Sequence, residues 1–222
     1  MININQINQQ GIAIENEGKM KAEDIIDIRD LGHDMTVVCH EGTANFKAHY
    51  PDLDYEEARD LSDKDNYGYL TGAMLYPNWF LTPISLKVNI DDDKGKRLFE
   101  DISRILPKTM MVKSGETGGV DFYYLTDSPT LSTEHPLDID GFNGSGCKTP
   151  TVEILGLNEE GKHNWILLPG SKTKAEYEII EDGFLDKDYS REMTRLSLAD
   201  LLLKLDQVVT QFGCIQYFLP EA

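Results

Sequence analysis

Between Ile84 and Asp91 the chain alternates: Ile84, Leu86, Val88 and Ile90 are apolar, and Ser85, Lys87, Asn89 and Asp91 are polar. Side chains two apart on a strand share a face, so this period predicts a half-buried strand over 84–91 that runs into Asp91-Asp92-Asp93. A different period follows. Leu98, Ile102, Ile105 and Leu106 recur at helical spacing and predict a helix from Arg97 to Leu106, ended by Pro107. Beyond it, "TMMVKSG" (109–115) and "VDFYYLT" (120–126) have strand character, and the glycine-rich connection between them predicts a hairpin.

The flanks read in the same way. Ile25, Ile26, Ile28 and Leu31 predict a short amphipathic helix over 21–31, "MTVVC" (35–39) a strand after the Gly32 break, and 55–61 another short helix. "NYGYLTG" (66–72) is an aromatic strand stopped by Gly72. "TVEILGL" (151–157), "NWILLPGS" (164–171) and "AEYEII" (175–180) are further strand candidates. The closing helix runs from about Leu198 to Val209, with Ser197 as N-cap and Asp200 completing a capping-box pattern. Residues 1–18, polar and rich in Asn and Gln, form a flexible lead-in, and 213–222 form a tail. The Ser/Thr/Pro/Gly/Asp-rich stretch 127–151 predicts a long exposed loop. Helix and strand signals together over 19–212 place the chain in the mixed α/β (α+β) class.

Composition narrows the chemistry. The 222 residues are 40% hydrophobic, enough for one large core. Thirty-nine acidic against 21 basic residues give a formal charge of -18, which argues against a broad phosphate-binding surface. Contact with nucleic acid must then be local, or depend on divalent ions or a basic partner. No apolar run approaches the roughly 20 residues needed to cross a bilayer. "MININQINQQG" lacks the pattern of a secretion signal, so the expectation is cytoplasmic with no membrane partner. Cys39, Cys147 and Cys214 form no CxxC pair and are expected as free thiols, and the histidines at 33, 40, 49, 135 and 163 have no metal-like spacing.

Three adjacent carboxylates repel one another unless water, a cation or protonation relieves them, so Asp91–Asp93 are either a wet loop or part of a metal site. On a continued strand Asn89, Asp91 and Asp93 would point the same way. Asp121 follows a Gly-Gly turn, and Glu153 lies between Val152 and Ile154 in an otherwise apolar strand, where an unpaired charge is costly. Acids from several strands that converge suit Mg²⁺ or Mn²⁺ and a two-metal phosphoryl transfer. Lys113, Ser171, Lys172 and Lys174 are candidates for phosphate contact, or else a solvated hairpin edge guarded by lysine. Tyr67, Tyr69, Tyr123 and Tyr124 would stack on bases or fill the core.

The order "NYGYLTG", "LKVNIDDD", "SGETGGVDFYYL", "VEILGL", "WILLPGSKTKAEYEI" and "LSLADLLLKL", over roughly residues 20–209, resembles the primase-polymerase (prim-pol) branch of the archaeo-eukaryotic primase superfamily. The resemblance implies a mixed, largely antiparallel sheet with an RRM-like palm, helices on one face and a smaller N-terminal αβ part. It also implies primer synthesis or extension from nucleoside triphosphates on a single-stranded template, with Mg²⁺ or Mn²⁺. In that family the motifs are apolar-Asp-apolar-Asp/Glu, Gly-Gly-x-His, a lone acid in a strand, and a Pro-Gly-Ser or Pro-Pro-Ser turn. Carried over, Asn89 and Asp91 fall on the metal-binding acids, Asp121 on the histidine, and Glu153 on the third acid, with Ser171 and Lys172 at the nucleotide. Two positions depart from the pattern. Asn89 offers one neutral oxygen, and Asp121 would repel a triphosphate that histidine assists. Either Asp91 and Asp93 form a shifted metal pair, or the scaffold is an impaired homologue binding nucleic acid or a replication partner such as a helicase. A metal-dependent phosphohydrolase using the same acids is a third class.

Overall fold

The computed structural model describes residues 37–40, 48–49, 65–115, 117–139, 149–167, 169, 171, 175–180 and 193–212. Within them lie strands β1 (Val37–His40), β2 (Ala48–His49), β3 (Asp65–Leu70), β4 (Met74–Tyr76), β5 (Trp79–Lys87) and β6 (Met110–Lys113). They are followed by β7 (Val120–Thr126), β8 (Thr133–Pro136), β9 (Thr151–Ile154), β10 (Trp165–Leu167), β11 (Glu178–Ile179) and β12 (Thr194–Leu196). Helix α1 spans Asp93–Ile105 and α2 Leu198–Gln211. The class is α+β with mostly antiparallel pairing.

β5 is the hub of the larger sheet, whose order is β11-β6-β7-β5-β9-β8, with β4 added to β5 and β12 to β7. β5 pairs antiparallel with β7 from Phe80↔Thr126 to Leu86↔Val120, and with β9 from Ile84↔Ile154 to Lys87↔Thr151. Pro83 explains where the second ladder stops. Its carbonyl accepts from Leu155 N at 2.9 Å, but its ring nitrogen has no proton to return, so β9 pairing ends at Ile154. β12 runs parallel to β7, the exception to the antiparallel rule in this sheet.

Period-two burial selects one face of β5, β7 and β9 for the core. Ile84, Leu86, Phe122, Tyr124, Val152 and Ile154 meet Leu98, Phe99 and Ile102 of α1 and Leu201, Leu205 and Val208 of α2. Both helices therefore cover the same face. Phe99 and Phe122 sit with ring centroids 6.0 Å apart and tilted by 44°, within the range aromatic pairs favour. On the opposite face Leu81, Met110, Val112, Tyr123 and Leu125 are also buried. Here the smaller sheet, ordered β10-β3-β1-β2, ties in where Tyr123 Oη donates to Leu167 O at 2.6 Å.

Several expectations change. The strand expected over 84–91 starts earlier and ends at Lys87, because Val88 N turns back to Leu86 O at 3.0 Å and Asn89 Oδ1 accepts from Asp91 N at 3.0 Å. Val88 and Ile90 are nonetheless buried, so the alternation recorded burial across a turn rather than a longer strand. The helix expected at Arg97 begins at Asp93, with Asp92 as its N-cap: Asp92 Oδ1 accepts from Lys94 N at 2.9 Å and Gly95 N at 2.8 Å. The aspartate run is thus a helix start, where acids satisfy orphan N–H groups and the dipole. Within 127–151, expected as loop, β8 pairs with β9. The smaller sheet, expected from the N-terminal part of the chain, also takes β10 (Trp165–Leu167), which pairs with β3. The capping pattern at Ser197 is present: Asp200 N donates to Ser197 Oγ at 3.0 Å. The helices expected over 21–31 and 55–61, the lead-in 1–18 and the tail 213–222 lie outside the described residues. Among the described residues no helix is long and apolar enough to cross a membrane.

Candidate functional site

Residues opposite one another in an antiparallel ladder share a face. Ser85 is opposite Asp121 on β7 and opposite Glu153 on β9, and Glu153 is opposite Glu134 on β8. A polar row Glu134–Glu153–Ser85–Asp121 therefore crosses four strands on the face away from the helices. Lys87, two residues along β5, leans into it: its Nζ lies 2.6 Å from Glu153 Oε2 and 3.7 Å from Glu134 Oε1.

The Gly-Gly turn allows this register. A Cβ on Gly119 would stand 2.4 Å from Leu86 O, and Gly118 holds φ +68°, where an added Cβ would meet Asn89 Oδ1 at 2.8 Å. Only glycine lets the β6–β7 connection lie this close to the end of β5. Asp121 is then fixed beside Ser85.

Electrostatics divide the row. Burial pushes the Asp121 carboxyl up to about 6, opposed by a hydrogen bond from Ser85, reinforced by the Glu153 charge and opposed by Lys87. For Lys87, partial burial acts to lower its pKa, but the hydrogen bond and charge of Glu153, with those of Glu134, prevail and raise it. The lysine is an ammonium ion, so it serves as a counter-charge and not as a base.

The residues singled out in the sequence separate. Asp121 and Glu153 come together on this face, flanking Ser85. Asp91 instead pairs with Lys113 at 2.7 Å. Lys113 is opposite Val120 and so leaves the sheet on the helix-bearing side, while its neighbour Val112 is opposite Asp121. Asn89 has its side-chain oxygen engaged in the turn to Asp91, and Asp93 is the first residue of α1. Asn89, Asp91 and Asp93 therefore do not line up as they would on a continued strand. Ser171 is 2% exposed, with its carbonyl accepting from Tyr177 N at 2.7 Å. Lys172 and Lys174 lie outside the described residues. Tyr69, Tyr123 and Tyr124 are core, and nothing of the Tyr67 side chain is described.

A two-metal centre needs several oxygen ligands around a shared point. Among the described residues no three His, Cys, Asp or Glu side chains form such a group. Of the carboxylates on this face, Glu153 and Glu134 already share the Lys87 ammonium, so the side chains present do not fit a pair of divalent ions. Ser85, Lys87 and Glu134 were not among the sequence candidates. Their signal was present, since Ser85 and Lys87 occupy the polar half of the 84–91 alternation, but the pairing of β8 with β9 has no local mark. No protein-family model matches the chain, and no characterised protein matches it in sequence.

Proposed function

We propose that this chain is a prim-pol-like module that has lost nucleotidyl transfer and serves as a binding subunit for a basic replication partner. The observation that carries this is the dispersal of the acids: Asp91 is paired with Lys113, and Glu153 with Lys87. Supporting the palm-like part of the reading, β5, α1, β6 and β7 follow one another in the chain, and the central order is β6-β7-β5-β9. That is the strand order of a split βαβ unit with its first strand in the middle. It departs in one respect: β8, not a helix, precedes β9, and α2 arrives later on the same face. The net charge of -18 favours a basic protein over nucleic acid as the occupant.

One observation favours a second reading, an active polymerase using Mg²⁺ or Mn²⁺. Asp121 and Glu153 do share a face beside Ser85, and the Lys87 side chain is 41% exposed, free to swing aside if a metal–triphosphate arrives. Manganese-dependent incorporation of labelled nucleotides on a single-stranded template separates the two. No incorporation by the wild-type chain, and no salt-sensitive binding of labelled single-stranded DNA, is the expected result. Incorporation that Glu153→Gln abolishes would replace the binding-subunit reading with the polymerase.

A further inference from the structure

The side chains on the open sheet face do not fit the divalent ions that the family resemblance implies, and the cause lies in one residue of β5. We infer that Lys87 is a built-in counter-ion, its ammonium standing at the cation position of the Glu134–Glu153–Asp121 row, so that the site takes no divalent metal. This rests on the binding-subunit reading and adds what neutralises the row. Glu153 has a side chain only 19% exposed, and a carboxylate removed from water that far requires a charged partner. Lys87 Nζ supplies it at 2.6 Å and reaches the next acid, Glu134, at 3.7 Å. A metal binding the same oxygen at its usual distance of about 2.0–2.6 Å would overlap the ammonium.

The backbone makes this placement reproducible. Lys87 is the last residue of β5 and is held in register opposite Thr151, so its Cβ leaves the strand on the face of the row. The cations of the other described ion pairs are committed elsewhere: Lys113 to Asp91, Arg104 to Glu100 and Asp101, Lys162 to Glu160. Lys87 is the one that pairs across the row.

The test uses the full chain, with Lys87→Met, Lys87→Arg, Glu153→Gln and the double variant Lys87→Met/Glu153→Gln. Manganese uptake is read by electron paramagnetic resonance and stability by urea midpoint at low and high salt. Wild type and Lys87→Arg should take up no stoichiometric Mn²⁺. Lys87→Met should unfold at lower urea, with a deficit largest at low ionic strength and shrinking as salt screens the row. The double variant should recover most of the loss, because removing the acid removes the need for its counter-charge. One Mn²⁺ bound by wild type and released by Glu153→Gln would overturn the inference. So would a Lys87→Met chain as stable as wild type at every salt concentration, or, if Lys87→Met fails to fold, a double variant that fails as well. Nucleotide incorporation by wild type sinks the binding-subunit reading. A salt-independent Lys87→Met chain with no incorporation sinks only the counter-ion role.

Discussion

Asp121 is the position where the structure makes a quantitative demand on stability. It is 6% exposed, and burial pushes its carboxyl from an ordinary value of about 3.9 up to about 6. A carboxyl that holds its proton more tightly in the folded chain than in the unfolded one favours the fold at low pH. That contribution is complete below the unfolded pKa and is lost as pH rises from about 4 through about 6. Carried to full ionisation, the difference amounts to about 3 kcal/mol of destabilisation at pH 8 relative to acid. Asp121→Asn removes the ionisation and keeps the shape. Its amide oxygen accepts from Ser85 as the carboxylate does, while its amide N–H must find a partner in a buried place, at a cost of about 1–2 kcal/mol. The variant should therefore fall about 1–2 kcal/mol below wild type at the acid end and exceed it by about 1–2 kcal/mol at pH 8. For a chain of this length that is about 2–8 °C in midpoint. Urea unfolding at half-unit steps from pH 4 to 8 reads the difference directly, and the background from the overall negative charge is common to both chains. Two parallel stability curves would show that Asp121 does not change protonation between the folded and unfolded chains, and the account of the row would fail with it.

Two other substitutions probe how the row is built. Asp92→Ala removes the side chain that caps α1 through Lys94 N and Gly95 N, and should cost about 1 kcal/mol in urea unfolding; an unchanged midpoint would mean that the aspartate run is not the helix start. Gly119→Ala drives a Cβ to 2.4 Å from Leu86 O, a backbone atom that cannot swing aside, and should lower the thermal midpoint by several degrees; a chain that tolerates it would show that the hairpin does not seat as described.

How much of this was legible in the sequence depends on the range over which each signal acts. "VDFYYLT" predicts the bounds of β7 because the segment is β-rich and closed by turn residues on both sides. Ser197 and Asp200 announce α2 because capping is local chemistry. Asp92 carries the same kind of signal, yet beside Asp91 and Asp93 it reads equally as a metal-binding run, since both uses require carboxylates at the end of a strand. The turn at Val88–Asn89 is hidden for a different reason: Val88 and Ile90 keep the hydrophobic alternation going after the backbone has left the sheet. β4 and β12 are three residues each, too short to show a period, and β12 exists because a neighbour was available beside Tyr124–Thr126.

The site follows from the same division. That Glu153 needs explaining is visible in "TVEIL", because a lone acid between buried apolar residues is costly anywhere. That its explanation is Lys87 is a matter of register, fixed by the pairs Ser85↔Glu153 and Lys87↔Thr151. With β5 held by β7, a slip of one residue in the β5–β9 pairing would turn Glu153 to the helix face, among Leu86 and Phe122, and leave it without its cation. Packing and electrostatics therefore select the same register: the one that buries Ile84 and Leu86 against α1 and α2 on one face puts the ammonium beside the carboxylate on the other. The polar row is a consequence of the core on the other side of the sheet, and its chemistry is whatever Lys87 leaves available.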